Sequence, residues 1–416
     1  MIAVIGLGYV GLTVALGFAE KGERVYGVET DGFRADLIRR GKIPYYEPGL
    51  DEALAKHINE NFYVLGDIDD VPNGVDTFFI CVGTPQDEGD ELDYSKLFKA
   101  IDDVVDTGFE DYFTLCVKTS MLPGSMDDVV MPHFSEIGLE PGEDFGVAFC
   151  PEFIREGKCW DDFINPSRIV IGVVDERDEQ ILRRHYEPFG APIIATSYRT
   201  AEFVKYLTST LLATMISYSN EMAQAAKDIG GIDIQEAFRI LQMDRRWGDN
   251  TMNGYVYPGC GFGGITLPKD TLDFIHLARE CGAETPLLEQ VYRTNDELPG
   301  KICHEIEAKA SKDQTLGICG LTFKEGSGDV RDSVSAKIID KLLADGYTKI
   351  IAYDPIANVD YSTEYKQDIK YAYDILEICE KADVLVITTP WKQFSKLPYL
   401  AKGKTIVDCR YMLRGM

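Results

Sequence analysis

Positive charge is scarce in this chain. Forty-two Lys and Arg stand against 69 Asp and Glu, a formal net charge of −27. No basic footprint for nucleic acid or another polyanion is present. The acidic surplus reads as solubility, and an anionic small ligand needs locally placed cations. Histidine is also scarce, with five scattered residues, and the ten cysteines form no CxxC pair; no metal site is expected. Cys81, Cys116, Cys150 and Cys319 fall in apolar, strand-like runs, the pattern of buried free thiols in a reducing compartment. No apolar run reaches membrane-spanning length, no signal-peptide pattern follows Met1, and no short repeat or low-complexity tract occurs. The expectation is a cytoplasmic protein without membrane or nucleic-acid partners.

What is present is α/β alternation, over a length of 416 residues that calls for two or three domains. Strand patterns at Ile2–Ile5, Arg24–Val28, Thr77–Val82, Tyr112–Lys118, Val147–Phe149 and Ile169–Gly172 alternate with amphipathic segments such as Leu12–Lys21 and Lys96–Asp106. This is the pattern of a doubly wound parallel sheet. From Thr200 to Ile229 there is no Pro or Gly, and Phe203, Leu207, Leu211, Met215, Met222 and Ala226 recur at helical spacing. A helix of that length is expected to span domains or form a dimer core. Helical patterns continue at Ile234–Gln242, Thr271–Glu280 and Leu287–Lys309. Strands then return at Gln314–Cys319, Lys349–Tyr353, Val384–Thr388 and Thr405–Asp408, with helices expected at Ser335–Asp345 and Tyr371–Cys379.

The first strand runs into GLGYVG, residues Gly6, Leu7, Gly8, Tyr9, Val10 and Gly11. A GxGxxG between strand and helix is the dinucleotide fingerprint: Gly6 for the tight turn, Gly8 for close approach of a pyrophosphate, Gly11 for helix–strand packing. The helix N-terminus adds backbone donors. The second strand ends in Glu29, placed to accept ribose hydroxyls and to repel a 2′-phosphate, so NAD is expected over NADP; Arg34 nearby weighs the other way. Val82, Gly83 and Thr84 close one strand and Lys118, Thr119 and Ser120 another, at the sheet edge where ligands of such folds lie.

Further along, CPEFIREG places Glu152, Arg155 and Glu156 after a strand. Alone, they read first as a capped helix start with solvated charges and second as acids that hold water. Lys205 and Ser209 share a helix face; alone, Lys205 reads first as a surface lysine paired with Glu202, second as a cation stabilising an alkoxide. The run Pro258–Asp270, PGCGFGGITLPKD, holds four glycines and two prolines in thirteen residues. It reads as a loop offering backbone donors from Gly259 to Gly264, with Lys269 and Asp270 at its exit; Asp270 is an N-cap or a general base. Lys324 and Arg331 in GLTFKEGSGDVRDS put two cations on a strand-exit loop, suited to a nucleotide diphosphate.

In this order, GLGYVG, EPGL at Glu47–Leu50, VGTP, KTS, PEFIREG, AEFVKY, GCGFGG with LPKD, GLTFKEGSGDVRDS, YDP and VDCR resemble the UDP-glucose/GDP-mannose dehydrogenase family along essentially the whole chain. The resemblance implies two Rossmann-like doubly wound domains joined by a long central helix and a helical dimerisation region. Residues 1–195 would form the NAD domain, 196–300 the central domain and 301–416 the nucleotide-sugar domain. It also implies a homodimer and a polysaccharide-precursor role, with oxidation of a nucleotide-sugar C6 alcohol to the carboxylate by two NAD and no metal. By position, Tyr9, Val10, Glu29, Arg34, Val82, Gly83, Thr84, Ser120, Glu156, Lys269 and Arg331 fall to the cofactor. Glu152, Phe153, Ile154, Arg155, Lys205, Arg246, Tyr255, Val256, Tyr257, Pro258, Gly259, Gly263 and Lys324 fall to the substrate. Glu152 would act as acid/base on water, Lys205 would stabilise oxyanions at C6, and Asp270 would assist proton transfer.

Besides Ser120, where the family more often has Thr, two departures from the family pattern matter. Ser209 stands where the family usually has Asn. Thr266 stands at the nucleophilic cysteine of GGxCxPKD, where the family forms a thiohemiacetal and then a thioester. A threonine hydroxyl is hardly ever ionised, and its β-methyl crowds attack. Cys260, six residues earlier, has no base beside it in sequence and is not taken as a substitute. The expected activity is oxidation of UDP-glucose towards UDP-glucuronate with the thioester step impaired, whether Thr266 is natural or engineered. An enzyme that stops at the C6 aldehyde, GDP-mannose as substrate, and an inactive nucleotide-sugar-binding regulator stay open. Retention of Glu152, Lys205 and Asp270 speaks against the last.

Overall fold

A computed structural model describes residues 1–84, 92–109, 111–143, 145–244 and 254–413. The chain forms two compact units, Met1–Tyr206 and Leu207–Met416. Among the described residues no helix is long and apolar enough to cross a membrane.

The first unit is built on strands β1 (Ile2–Ile5), β2 (Val25–Val28), β3 (Phe62–Leu65), β4 (Thr77–Ile80), β5 (Phe113–Val117), β6 (Phe145–Phe149), β7 (Ile169–Gly172) and β8 (Ile193–Thr196). Their order in the sheet is β3-β2-β1-β4-β5-β6-β7-β8. Every pairing is parallel except β6 with β7. The central runs TFFI, FTLCV and FGVAF are buried at every position, as expected for strands covered on both faces. Successive residues serve opposite layers. Phe79 joins Phe18 and Tyr186 on one side, while Phe78 joins Phe113 and Phe145 on the other.

The edge strands β3 and β8, absent from the sequence reading, show why they escaped it. They are only partly buried, so neither needs the long apolar run that marks a central strand. The order reverses at β1, whose neighbours are β2 and β4. The turns after β1 and β4 therefore flank a topological switch point.

In the second unit β9 (Leu316–Cys319), β10 (Ile350–Tyr353), β11 (Lys370–Tyr371), β12 (Val384–Ile387) and β13 (Thr405–Asp408) form a parallel sheet in the order β11-β10-β9-β12-β13. Its switch point lies at β9, which exits into the Gly320–Ser333 loop.

Two helix starts differ most from the sequence reading. The expected Tyr371–Cys379 helix is the end of β11 followed by a helix at Ile375–Lys381, because the Asp374 side chain accepts from the Leu376 and Glu377 amides and starts the helix there. The helix expected at Thr271 begins at Thr266 and runs to Glu280. Pro268 does not prevent this, since an amide in the first turn has no intrahelical partner to lose. The long helix spans Tyr198–Ile229, 32 residues.

Candidate active site

The turn after β1 has the form the fingerprint requires. Gly6 adopts φ 87°. A Cβ on Gly11 would lie 1.8 Å from the Gly6 carbonyl oxygen, whereas a Cβ on Gly8 would meet nothing within 4 Å. Gly11 thus serves helix–strand packing, and Gly8 leaves open space at the N-terminus of the Tyr9–Glu20 helix, where a pyrophosphate fits. Glu29, at the end of β2, is buried. It accepts from the Leu7 amide at 3.0 Å and the Asp31 amide at 2.9 Å, and pairs with Arg34 at 3.1 Å. Arg34 is thereby tied to the carboxylate expected to select a free ribose. These residues fit NAD. Gly11→Ala is expected to abolish NAD binding in calorimetric titration and to cost about 1–3 kcal/mol of stability, read by thermal unfolding, because the obstructing atom is backbone and cannot swing aside.

The exit turns of β4, β5 and β6 meet at the same sheet edge. Thr84 Oγ1 donates to the Ser120 carbonyl at 3.2 Å, and Thr119 Oγ1 to the Val82 carbonyl at 2.6 Å. Glu152 follows β6 and forms an ion pair with Lys118. Arg155 is gripped by Asp162, at 2.7 Å from Nε and 2.5 Å from Nη2, and Phe153 carries the Arg168 guanidinium on its ring at 4.1 Å.

Glu47, quoted in EPGL but given no role by the sequence, fastens this segment. It accepts from the Gly157 amide at 2.7 Å, the Cys159 amide at 2.8 Å and the Tyr9 hydroxyl. Burial, with Cys159 and Glu47 beside it, pushes the Tyr9 phenol well above its ordinary value. Tyr9 therefore ties the dinucleotide turn to the PEFIREG segment.

Lys205 is not a surface lysine paired with Glu202. It is 9% exposed, and Glu202 spends its carboxylate on the Gly124 and Met126 amides at 2.6 and 2.7 Å. Burial pushes Glu202 up to about 7 against those two donors. Ser209, one turn beyond Lys205, is buried too.

In the second unit the glycine-rich loop is fastened by two asparagines. The Gly259 amide donates to Asn220 Oδ1 at 2.7 Å and the Phe262 amide to Asn295 Oδ1 at 2.8 Å. Two of the donors expected to serve a ligand are thus engaged within the protein. The glycines answer close protein approaches as well. A Cβ at Gly263 would sit 2.2 Å from the Asp332 carbonyl oxygen, and one at Gly259 2.6 Å from an Arg410 nitrogen. Val256 is buried, and the Tyr257 hydroxyl donates to the Tyr411 carbonyl at 2.8 Å. Cys260 is only 2% exposed. The Cys409 thiol and the Arg410 guanidinium draw its thiol below the usual range while burial opposes them, but its burial keeps it from substrate.

Thr266 is the exposed first residue of its helix, and buried Asp270 lies one turn on; the N-cap is Ile265, not Asp270. Lys269 pairs with Asp273 at 3.0 Å. Arg331 folds onto Asp329, at 2.9 Å from Nε and 2.5 Å from Nη2. Lys324 Nζ lies 5.4 Å from the centre of the Phe323 ring. Arg246 lies outside the described residues.

Comparison with known proteins assigns these parts. Residues 1–190 match the UDP-glucose/GDP-mannose dehydrogenase family, NAD binding domain; 199–297 match its central domain and 317–415 its UDP binding domain. The chain is 32% identical to a UDP-glucose 6-dehydrogenase of Rickettsia felis, over 99% of this chain and 92% of that protein. It is 31% identical to a GDP-mannose 6-dehydrogenase of Pseudomonas putida, over 98% and 95%. A UDP-glucose dehydrogenase structure from Pyrobaculum islandicum superposes with a TM-score of 0.90 at 32% identity, covering 99% of this chain and 94% of that one. With a fingerprint whose geometry fits NAD and relatives matched nearly end to end, the chain belongs to the UDP-glucose/GDP-mannose dehydrogenase family of NAD-dependent oxidoreductases acting on CH–OH groups.

Proposed function

We propose that the chain oxidises the C6 alcohol of UDP-glucose to the aldehyde as its relatives' names imply, and that its second oxidation runs without a thioester. The observation that carries this reading is Thr266: a hydroxyl, not a thiol, opens the Thr266–Glu280 helix one turn before buried Asp270. The substrate assignment rests on full-length relatives named UDP-glucose 6-dehydrogenase; the Pseudomonas putida relative makes GDP-mannose the comparison substrate.

NAD, when bound, accepts each hydride that leaves C6. Lys205, buried and not engaged by Glu202, stabilises negative charge on the C6 oxygen, with Ser209 one turn on. Asp270 assists proton transfer. Glu152 takes a proton from the water that adds to the aldehyde carbon. The carbonyl oxygen takes up a proton from solvent, and the resulting diol loses the second hydride from C6 and its two hydroxyl protons, one to Glu152 or solvent and one to solvent, to give the carboxylate.

The test is NADH formed per sugar with excess NAD, alongside identification of the product. One fast equivalent followed by a slow second is expected with UDP-glucose. Two fast equivalents would overturn the impaired second step. A higher kcat/KM with GDP-mannose would overturn the sugar assignment, and binding without any NADH would overturn the enzymatic reading.

The same reading includes a homodimer built on the long helix. Its Leu207, Leu211, Tyr218 and Met222 side chains are 53%, 49%, 54% and 45% exposed. They recur at spacings that place them on one face, opposite buried Ser209. An apolar stripe of this kind suits a second copy of the same helix. Leu207→Asp combined with Leu211→Asp is expected to convert a dimer into a monomer in sedimentation equilibrium. A monomeric parent protein would overturn the dimer.

A further inference from the structure

In the sequence Lys118 is only the first letter of KTS. In the fold it is a charged group set in the protein interior, 4% exposed, with Glu152 beside it at 9%. Lys118 follows β5 and Glu152 follows β6, adjacent parallel strands, so the pair sits at the carboxyl edge of the sheet. The ammonium forms an ion pair with the Glu152 carboxylate, and lies 3.3 Å from the Cys150 carbonyl and 3.0 Å from the Tyr186 hydroxyl. Its two hydrogen bonds thus go to neutral groups, and its charge is answered by the Glu152 carboxylate. The Phe79 and Tyr186 rings wall it in at 5.7 and 5.6 Å.

The titratable groups facing it are Glu152, Tyr186, Cys81, Cys116 and Cys150. Burial opposes the charge on Lys118, yet the Glu152 carboxylate and the phenol and thiols around it hold the ammonium well above its ordinary range. Lys118 is therefore a fixed cation over the working pH range, and Glu152 is the acid it faces.

We propose that Lys118 is a positioning residue whose buried ion pair fixes the Glu152 carboxylate at the sheet edge, ready to take a proton from water. The inference rests on the reading of Glu152 as the acid/base. A buried carboxylate that loses a fixed cation is harder to ionise, by about one to three pH units. A purely structural ion pair would lower stability without moving the pH dependence of turnover.

The experiment follows NADH formation from UDP-glucose over about pH 5 to 9 for the parent protein, Lys118→Met, Lys118→Gln, Lys118→Arg and Glu152→Gln, with NAD affinity and thermal unfolding measured on each. In either neutral variant the acid limb of kcat should move alkaline by about one to three units. NAD affinity should stay within a few-fold of the parent, and Lys118→Arg should restore the position of the limb. An unmoved limb in a folded neutral variant overturns the inference, provided Glu152→Gln loses its second NADH equivalent. If Glu152→Gln keeps that equivalent at the parent rate, the reading of Glu152 falls and the inference falls with it. If neither neutral variant folds, a folded Lys118→Arg whose acid limb has moved alkaline although the cation is kept overturns the inference.

Discussion

Thr266→Cys should raise the rate of carboxylate formation from UDP-glucose on the order of 100-fold or more, because a few per cent of a thiol is ionised near pH 7 and almost no alcohol is. The fold favours the replacement. Residue 266 is exposed and opens a 15-residue helix, and a helix N-terminus stabilises a thiolate. The same dipole acts on the threonine hydroxyl, but from a starting point too weakly acidic for it to matter. The variant should form two fast NADH equivalents per sugar, and rapid quenching should capture an acyl-enzyme mass. Thr266→Ser removes the crowding methyl without supplying a thiol and should leave the second step slow. If Thr266→Cys turns over no faster than the parent, the limiting defect lies elsewhere. Ser209→Asn is then the next replacement to make, since serine has less reach than the family's asparagine.

Lys205→Met should lower kcat by about 10² to 10³-fold, the usual effect of removing one preorganised partner of a developing oxyanion, with a much smaller change in KM. The case for this large effect is the burial of Lys205 and the commitment of Glu202 elsewhere. Glu202 holds the Gly124 and Met126 amides, so it does not reduce Lys205 to half of a surface pair. Had it done so, the substitution would alter stability by about 1 kcal/mol or less and leave kcat nearly untouched. A kcat within a few-fold of the parent would show that the oxyanion role belongs to another group. Steady-state kinetics with UDP-glucose, together with NAD titration to verify an intact cofactor site, separates these outcomes.

The elements that could be read directly were those whose residues must satisfy a local rule. Strands β4, β5 and β6 are buried on both faces, so their sequences are continuous apolar runs. GLGYVG sits in a turn where Gly6 needs a positive φ and Gly11 has no room for a Cβ. Edge strands β3 and β8 obey weaker rules and went unseen. The start of the Thr266–Glu280 helix was missed because Pro268 and four glycines nearby resemble a loop, although a first-turn proline is permitted.

Candidate site residues divide along the same line. Glu29 and Thr84 were singled out by motif and sheet position, and Glu152 and Lys205 by the family resemblance. Two groups that fasten the site were not, because Lys118 lies 34 residues from Glu152 and Glu47 lies 110 from Gly157; Glu202 lies three residues from Lys205, but its commitment to the Gly124 and Met126 amides, 78 and 76 residues away, shows only in the fold.

By itself the sequence determined the α/β class, the dinucleotide fingerprint, the family and the missing thiol, since each is a matter of residue identity at a spacing. Only the tertiary structure decided that Lys205 is buried while Glu202 is occupied, that the loop glycines accommodate Asp332 and Arg410, and that Glu152 shares a buried ion pair with Lys118. Those are relations between strands and loops far apart in the chain, and burial, which sets the strength of a charge, exists only once the chain has closed around it.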